Sequence, residues 1–172
     1  AALHGLESLR KPSIALIKGY CIGGGCELAC FADIRICSEN ASFGVPAARL
    51  GISIGYKEMR RLIELVGLGN VSYILLSART MGASDALRMG LVNQVVPMEE
   101  IDEYTSKLAS GIASLAPLSH QDNKRIASLV LKNPSLNGLT PEQEALPYRV
   151  FDSYDYQEGR RAFVEKRRAN FE

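Results

Sequence analysis

The residues best suited to chemistry gather where a run of three glycines precedes a glutamate. The run comprises Gly23, Gly24 and Gly25, and Glu27 follows it. Three glycines at the start of a helix leave backbone N–H groups unshielded, and such groups bind anionic oxygens. Two interpretations are open: an oxyanion hole that stabilises charge on a carbonyl oxygen, or close packing of a helix on a strand, which also requires glycine. Glu27 either transfers protons or only complements the dipole of a first helical turn.

The residues around this glycine run do not match the known nucleotide-binding motifs. A Walker loop requires Gly-Lys-Ser or Gly-Lys-Thr, and a dinucleotide fingerprint requires G-x-G-x-x-G. Neither pattern follows the strand, so a nucleotide-binding α/β module is only a weak alternative.

The cysteines predict no metal site. They form no C-x-x-C pair, and His4 and His120, both expected at the surface, are the histidines available as partners. We expect Cys21, Cys26, Cys30 and Cys37 to be small buried apolar residues in a reducing compartment, and therefore a cytoplasmic protein.

The length and net charge of the chain limit the class of protein to which it can belong. The chain has 172 residues, 47% of them hydrophobic, and a net charge of +1. This composition predicts an ordinary globular domain. Because positive and negative charges nearly cancel, the protein has no net field that would steer it onto nucleic acid or an anionic membrane, and these partners are excluded. No apolar run approaches the roughly 18 residues of a membrane span. Because the chain begins without Met and residues 2–9 resemble the end of a helix, we expect a piece of a longer protein.

The elements around the glycine run alternate between strand and helix. Strands are predicted over residues 13–18, 34–37 and 91–96, and a helix is predicted to start at Cys26. Residues 43–54 are predicted as an irregular buried loop. Further helices are predicted over 56–66 (ended by Gly67), 71–76, 84–89 (capped by Ser84 and ended by Gly90), 101–115, 119–131, 141–154 and 157–168. This order predicts an α/β core over residues 1–97 and a helical C-terminal region over residues 98–172.

Several segments, in this order and nearly end to end, resemble the enoyl-CoA hydratase (crotonase) family. They are KPSIALIKGYCIGGGCELA (11–29), ADIRI (32–36), FGVP (43–46), RLG (49–51), SDALRMGLVNQVVP (84–97) and EGRRAFVEKR (158–167). The resemblance implies a crotonase-like ββα spiral core, partial in this chain, with a helical C-terminal trimerisation region. It also implies a homotrimer or a dimer of trimers. The implied substrate is an acyl-CoA thioester, so coenzyme A enters as part of the substrate and no separate cofactor is expected.

The resemblance also assigns roles at the glycine run. Family members hold an enolate-like thioester oxygen with two backbone N–H groups, one of which corresponds to Gly24, with Gly23 beside it in the substrate site. The other N–H group and most of the adenine and pantetheine pocket correspond to a segment upstream of this chain. Glu27 falls on the first of two carboxylates that hydratases use to activate and deliver water.

The second hydratase carboxylate is replaced. Ala47 stands where the family's F-G-x-P-E segment has its acid. Isomerisation, decarboxylation or another enolate reaction with a single base is therefore easier to support than hydration. The alternative is a catalytically degenerate or truncated homologue that binds CoA or forms oligomers.

The family's P-G-A-G-G-T-Q-R-L stretch is altered to IGYKEMRRL over residues 54–62. Gly55 persists in the substrate site. Tyr56 either projects into the acyl pocket or packs against the helix. Glu58 is either a substitute acid or an exposed residue paired with Arg60 or Arg61.

Two C-terminal residues fall on positions that contact the CoA of a neighbouring subunit in the family. Phe163 and Lys166 are three residues apart, which predicts one helix face. The open alternative for Lys166 is a basic surface helix.

Overall fold

The computed structural model describes residues 2–172, with side chains described from residue 5 onward, so the prediction for His4 lies outside the described side chains. The chain forms two compact units. One contains the residues up to Leu9 and Ser13–Leu108, and the other contains Arg10–Pro12 and Ala109–Glu172. The predicted domain division after residue 97 stays a prediction.

The first unit is built from successive ββα segments. After α1 (Ala2–Glu7), the first segment comprises β1 (Ile14–Ile17), β2 (Tyr20–Ile22) and α2 (Gly24–Cys30). The second comprises β3 (Ile34–Ser38), β4 (Ser42–Gly44), a 3₁₀ turn (Ala47–Leu50) and α3 (Tyr56–Ser77). The chain continues through β5 (Met81–Gly82), α4 (Ala83–Met89), β6 (Gln94–Val96) and α5 (Ile101–Ala113).

The two strands of each ββα segment enter different sheets. The first sheet has the order β1-β3-β6 and is parallel throughout, with Ile14 opposite Ile34 and Ile36 opposite Gln94. The second sheet has the order β2-β4-β5, in which β2 and β4 are parallel and β4 and β5 are antiparallel. The expected α/β architecture of ββα repeats is confirmed.

Short elements of this unit differ most from their prediction. The predicted loop over residues 43–54 contains most of β4 and a 3₁₀ turn, and residues 48–53 are exposed rather than buried. Strand β2 was not predicted, because three residues after a glycine turn are too few to show a period of two. Helix α4 is capped by Gly82 rather than by Ser84, which lies inside the first turn.

Apolar side chains from both sheets and from α2, α3 and α4 form the core of the first unit. All four cysteines are free and buried there, as predicted. Gly67 and Gly90 have left-handed φ values of 74° and 82°, which interrupt α3 and end α4 as predicted.

The second unit is helical. It contains the C-terminal part of α5, followed by α6 (Pro117–Lys132), α7 (Pro141–Ala145), a 3₁₀ turn (Arg149–Asp152) and α8 (Tyr154–Glu165). The single helix predicted over 141–154 is wrong, since the chain leaves helical geometry around Pro147, whose nitrogen cannot donate a hydrogen bond. The buried carboxylate of Asp122 accepts a hydrogen bond of 2.8 Å from Nε of Arg149. Among residues 2–172, every helix is too short or too polar to cross a bilayer.

Candidate active site

Gly23 is the turn between β2 and α2. Its φ and ψ are 58° and −128°, a combination that residues with a Cβ rarely adopt. Its N–H donates to the carbonyl of Gly44 at 2.8 Å, and its carbonyl accepts the first helical hydrogen bond from the N–H of Glu27 at 3.0 Å. Backbone conformation therefore requires glycine at position 23.

Gly24 and Gly25 are glycine for a different reason. A Cβ built on either residue meets no atom within 4 Å, so packing of the helix on the strand requires neither glycine. Both residues are exposed in the first turn of α2, whose N–H groups have no acceptor within the helix, and no side chain caps that turn. The close-packing interpretation fails here, and the Gly24 N–H group is accessible to a ligand oxygen.

Glu27 lies half-buried in the same helical turn. Burial raises the pKa of its carboxyl group above the ordinary value, and the negative charge of Glu58 raises it further. A glutamate of this kind retains its proton to higher pH than an exposed one, which suits a group that exchanges protons with a substrate.

Glu58 lies in the first turn of α3 and is also half-buried. Its carboxylate folds back over the N-cap residue Gly55, where a built Cβ would overlap Oε2 of Glu58. The predicted pairing with Arg60 or Arg61 is wrong, because both arginines contact Glu64 instead, at 2.8 Å and 3.5 Å.

Helices α2 and α3 pack side by side, which explains why Glu58 influences Glu27. Nε of Arg61 donates to the carbonyl of Cys30 at 2.7 Å. Arg61 follows Glu58 by three residues and Cys30 follows Glu27 by three, so this hydrogen bond joins the two helices one turn after the two acids. The sequence carried no signal for this approach beyond the presence of an acid in each first turn.

The remaining site residues of the first unit differ in exposure. Ala47 is buried in the 3₁₀ turn, where its methyl group supplies no proton. Gly55 ends the loop as the N-cap of α3. Tyr56 is 97% exposed, so the alternative that it packs against the helix is wrong.

The two C-terminal residues of the predicted site belong to the second unit. Phe163 is 85% exposed on α8. Lys166 does not share its helix face, because α8 ends at Glu165 and Lys166 adopts a left-handed φ of 53°. The basic residues do not form one surface helix either, since Arg167 turns back to Glu158, with N–O distances of 2.6 and 2.9 Å.

No group of histidine, cysteine, aspartate and glutamate side chains in the described part of the chain is arranged to hold a metal ion. His120 is half-buried rather than at the surface, and its Nε2 lies 3.1 Å from the carbonyl of Ile112.

Comparisons with known proteins agree with this geometry. Residues 1–172 match the family model described as Enoyl-CoA hydratase/isomerase. The chain is 39% identical over 166 residues to the crotonyl-CoA hydratase of Syntrophomonas wolfei, covering 96% of this chain and 64% of that protein. It is 38% identical over 170 residues to the carnitinyl-CoA dehydratase of Salmonella typhi, covering 97% of this chain and 65% of that protein.

Solved structures show the same likeness. An enoyl-CoA hydratase/isomerase family protein of Hyphomonas neptunium matches with a TM-score of 0.91 and 35% identity, over 99% of this chain and 64% of that one. An enoyl-CoA hydratase/carnitine racemase of Magnetospirillum magneticum matches with a TM-score of 0.91 and 33% identity, over 99% and 62% of the two chains. The ββα repeats, the glycine turn and these matches together show that the chain belongs to the enoyl-CoA hydratase/isomerase family.

Proposed function

We propose that this protein is an enzyme that acts on acyl-CoA thioesters through an enolate held by backbone N–H groups. The observation that carries the proposal is that Gly24 is exposed at the uncapped start of α2, with open space around a built Cβ, one turn from the half-buried Glu27. Hydrogen-bond donors fixed where charge develops stabilise it without reorganisation, and a carboxyl group with a raised pKa is suited to exchange the proton.

The chemistry proposed for Glu27 is proton transfer beside the thioester carbonyl. In an isomerisation, its carboxylate removes a proton from Cα of a 3-enoyl thioester, and the electron pair moves into the carbonyl to give an enolate oxygen against Gly24. The carboxylic acid then returns the proton at Cγ as the enolate collapses, and the double bond has moved. The substrate and the product contain the same atoms, and Glu27 ends the reaction ionised as it began, so a single base suffices.

The other predicted site residues complete this proposal. Gly23, Ala47, Gly55 and Tyr56 contact the acyl thioester from the first unit. Phe163 and Lys166 contact the CoA of a neighbouring subunit in a homotrimer or dimer of trimers, in keeping with the exposure of both side chains. Four free buried thiols accord with a reducing compartment such as the cytoplasm.

A second candidate function is CoA binding without turnover. The observation that favours it is Ala47, which leaves the position of one hydratase acid without a titratable group.

The test is turnover of crotonyl-CoA and of 3-enoyl and malonyl-type thioesters, followed by the ultraviolet absorbance of the conjugated thioester and by product analysis. Turnover by wild type, with a 10²- to 10⁴-fold lower kcat in Glu27→Gln, is expected from loss of a general acid–base group. Tight CoA binding with no turnover on any thioester would support the second candidate instead.

A further inference from the structure

The active site has a carboxylate at a position that the family resemblance did not assign. The resemblance places its second acid at position 47, where this chain has alanine. The structure packs α3, whose first turn carries the different acid Glu58, against α2, whose first turn carries Glu27, and a hydrogen bond from Arg61 to Cys30 joins the helices one turn after these acids.

The surroundings of Glu58 hold its carboxylate in place without neutralising it. The side chain is half-buried and lies over Gly55, whose missing Cβ provides the space that Oε2 occupies. The nearby basic residues of the same helix are engaged elsewhere, Arg60 with Glu64, and Arg61 with Glu64 and the carbonyl of Cys30. Within residues 2–172, no ion pair joins Glu58 to a basic side chain.

We propose that Glu58 is the second proton-transferring carboxylate of this active site, acting with Glu27 in the hydration of enoyl-CoA thioesters. The proposal rests on the proposed function, because it needs Gly24 and Glu27 to act on a thioester. It restores to this chain the two-carboxylate chemistry that Ala47 alone would exclude.

The reaction balances with water as co-reactant. One carboxylate accepts a proton from water while the water oxygen bonds to Cβ, and the electron pair of the double bond moves to the thioester oxygen. The enolate then collapses while the other carboxyl group donates a proton to Cα. In this scheme Glu58 acts as the base towards water and Glu27 as the acid towards Cα.

The test compares four full-length proteins on crotonyl-CoA: wild type, Glu27→Gln, Glu58→Gln and Glu58→Asp. Glu103→Gln is the control, because Glu103 is an exposed helical glutamate whose contact is with Lys107. Hydration kcat, the dissociation constant for a non-reactive acyl-CoA, and exchange of the Cα proton with deuterated water are measured separately.

We expect Glu58→Gln to lower kcat for hydration by at least 100-fold while the dissociation constant changes by less than about 3-fold, as for loss of one acid–base group. Glu58→Asp should recover part of the rate, and Glu103→Gln should match wild type. A structural role for Glu58 would instead weaken binding and leave Glu58→Asp no better than Glu58→Gln.

The outcomes separate this inference from the proposed function. Wild-type hydration that depends on Glu27 but persists in Glu58→Gln would overturn the role of Glu58 and leave the enolate mechanism standing. Isomerisation or Cα exchange without hydration in wild type would also overturn it. Failure of wild type on every thioester would overturn both.

Discussion

Replacing Gly24 by alanine separates folding from ligand binding at the glycine turn. The added Cβ meets no atom within 4 Å, so it should not disturb packing. Alanine in place of a helical glycine typically stabilises by about 0.5–1 kcal/mol, and less in a first turn. We therefore expect the free energy of unfolding of Gly24→Ala to equal that of wild type or to exceed it by up to about 1 kcal/mol.

Activity should change in the opposite direction. Alanine keeps the N–H of residue 24, but we expect its methyl group to hinder the approach of the thioester oxygen and so to remove this contact. Loss of one donor of an oxyanion hole costs about 10²- to 10³-fold in kcat, or about 2.7–4 kcal/mol of transition-state stabilisation. We expect a loss of this size in thioester turnover for a variant that is fully folded.

Two other glycine-to-alanine variants serve as matched controls in urea denaturation and in the thioester assay. Gly23→Ala should cost about 1–3 kcal/mol of stability, because its φ of 58° and ψ of −128° strain any residue with a Cβ. Gly69→Ala, in α3 with equally open space, should gain about 0.5–1 kcal/mol and keep full activity. A Gly24→Ala variant that keeps more than a third of wild-type turnover, or that loses more than about 1 kcal/mol of stability, would contradict the role of Gly24 as an oxyanion-hole residue.

Two further predictions concern the end of α8. Lys166→Gly should raise the free energy of unfolding by about 1 kcal/mol, because glycine adopts the left-handed φ of 53° without the cost that other residues incur. Weaker CoA binding by this more stable variant would support the proposed contact between Lys166 and CoA. A free energy of unfolding that does not rise in urea denaturation would contradict backbone strain at Lys166. Hydrogen bonds from Arg167, and then from the Asn170 N–H, lower the pKa of Glu158 from 4.5 to about 2. Because the folded-state pKa is the lower one, this stabilisation is complete above about pH 4.5 and is lost as pH falls towards 2. Urea midpoints should therefore converge for wild type and Glu158→Gln near pH 2, and a constant difference from pH 6 to 2 would contradict the assignment.

The sequence by itself determined the elements whose signals are local. An apolar, Ile-rich run predicts β1, and alternation of apolar and polar residues predicts β3. The two glycines with positive φ that interrupt α3 and end α4 are also predicted from their positions. Burial of the cysteines followed from their apolar neighbours. These features depend on a few adjacent residues, so no distant contact was needed to identify them. The motifs also carried the family resemblance, because their order along the chain is itself sequence information.

Only the tertiary structure decided what the candidate site contains. Glycine is required at position 23 by its backbone angles, whereas position 24 has open space, and identical letters cannot distinguish the two. The sequence favoured an exposed Glu58 paired with Arg60 or Arg61, yet Glu58 is half-buried over Gly55 on a helix that packs against α2, and both arginines contact Glu64. The result for Glu58 depends on contacts between segments about 30 residues apart. Such contacts arise when whole helices bury their apolar faces against each other, and no local pattern records which side chains meet.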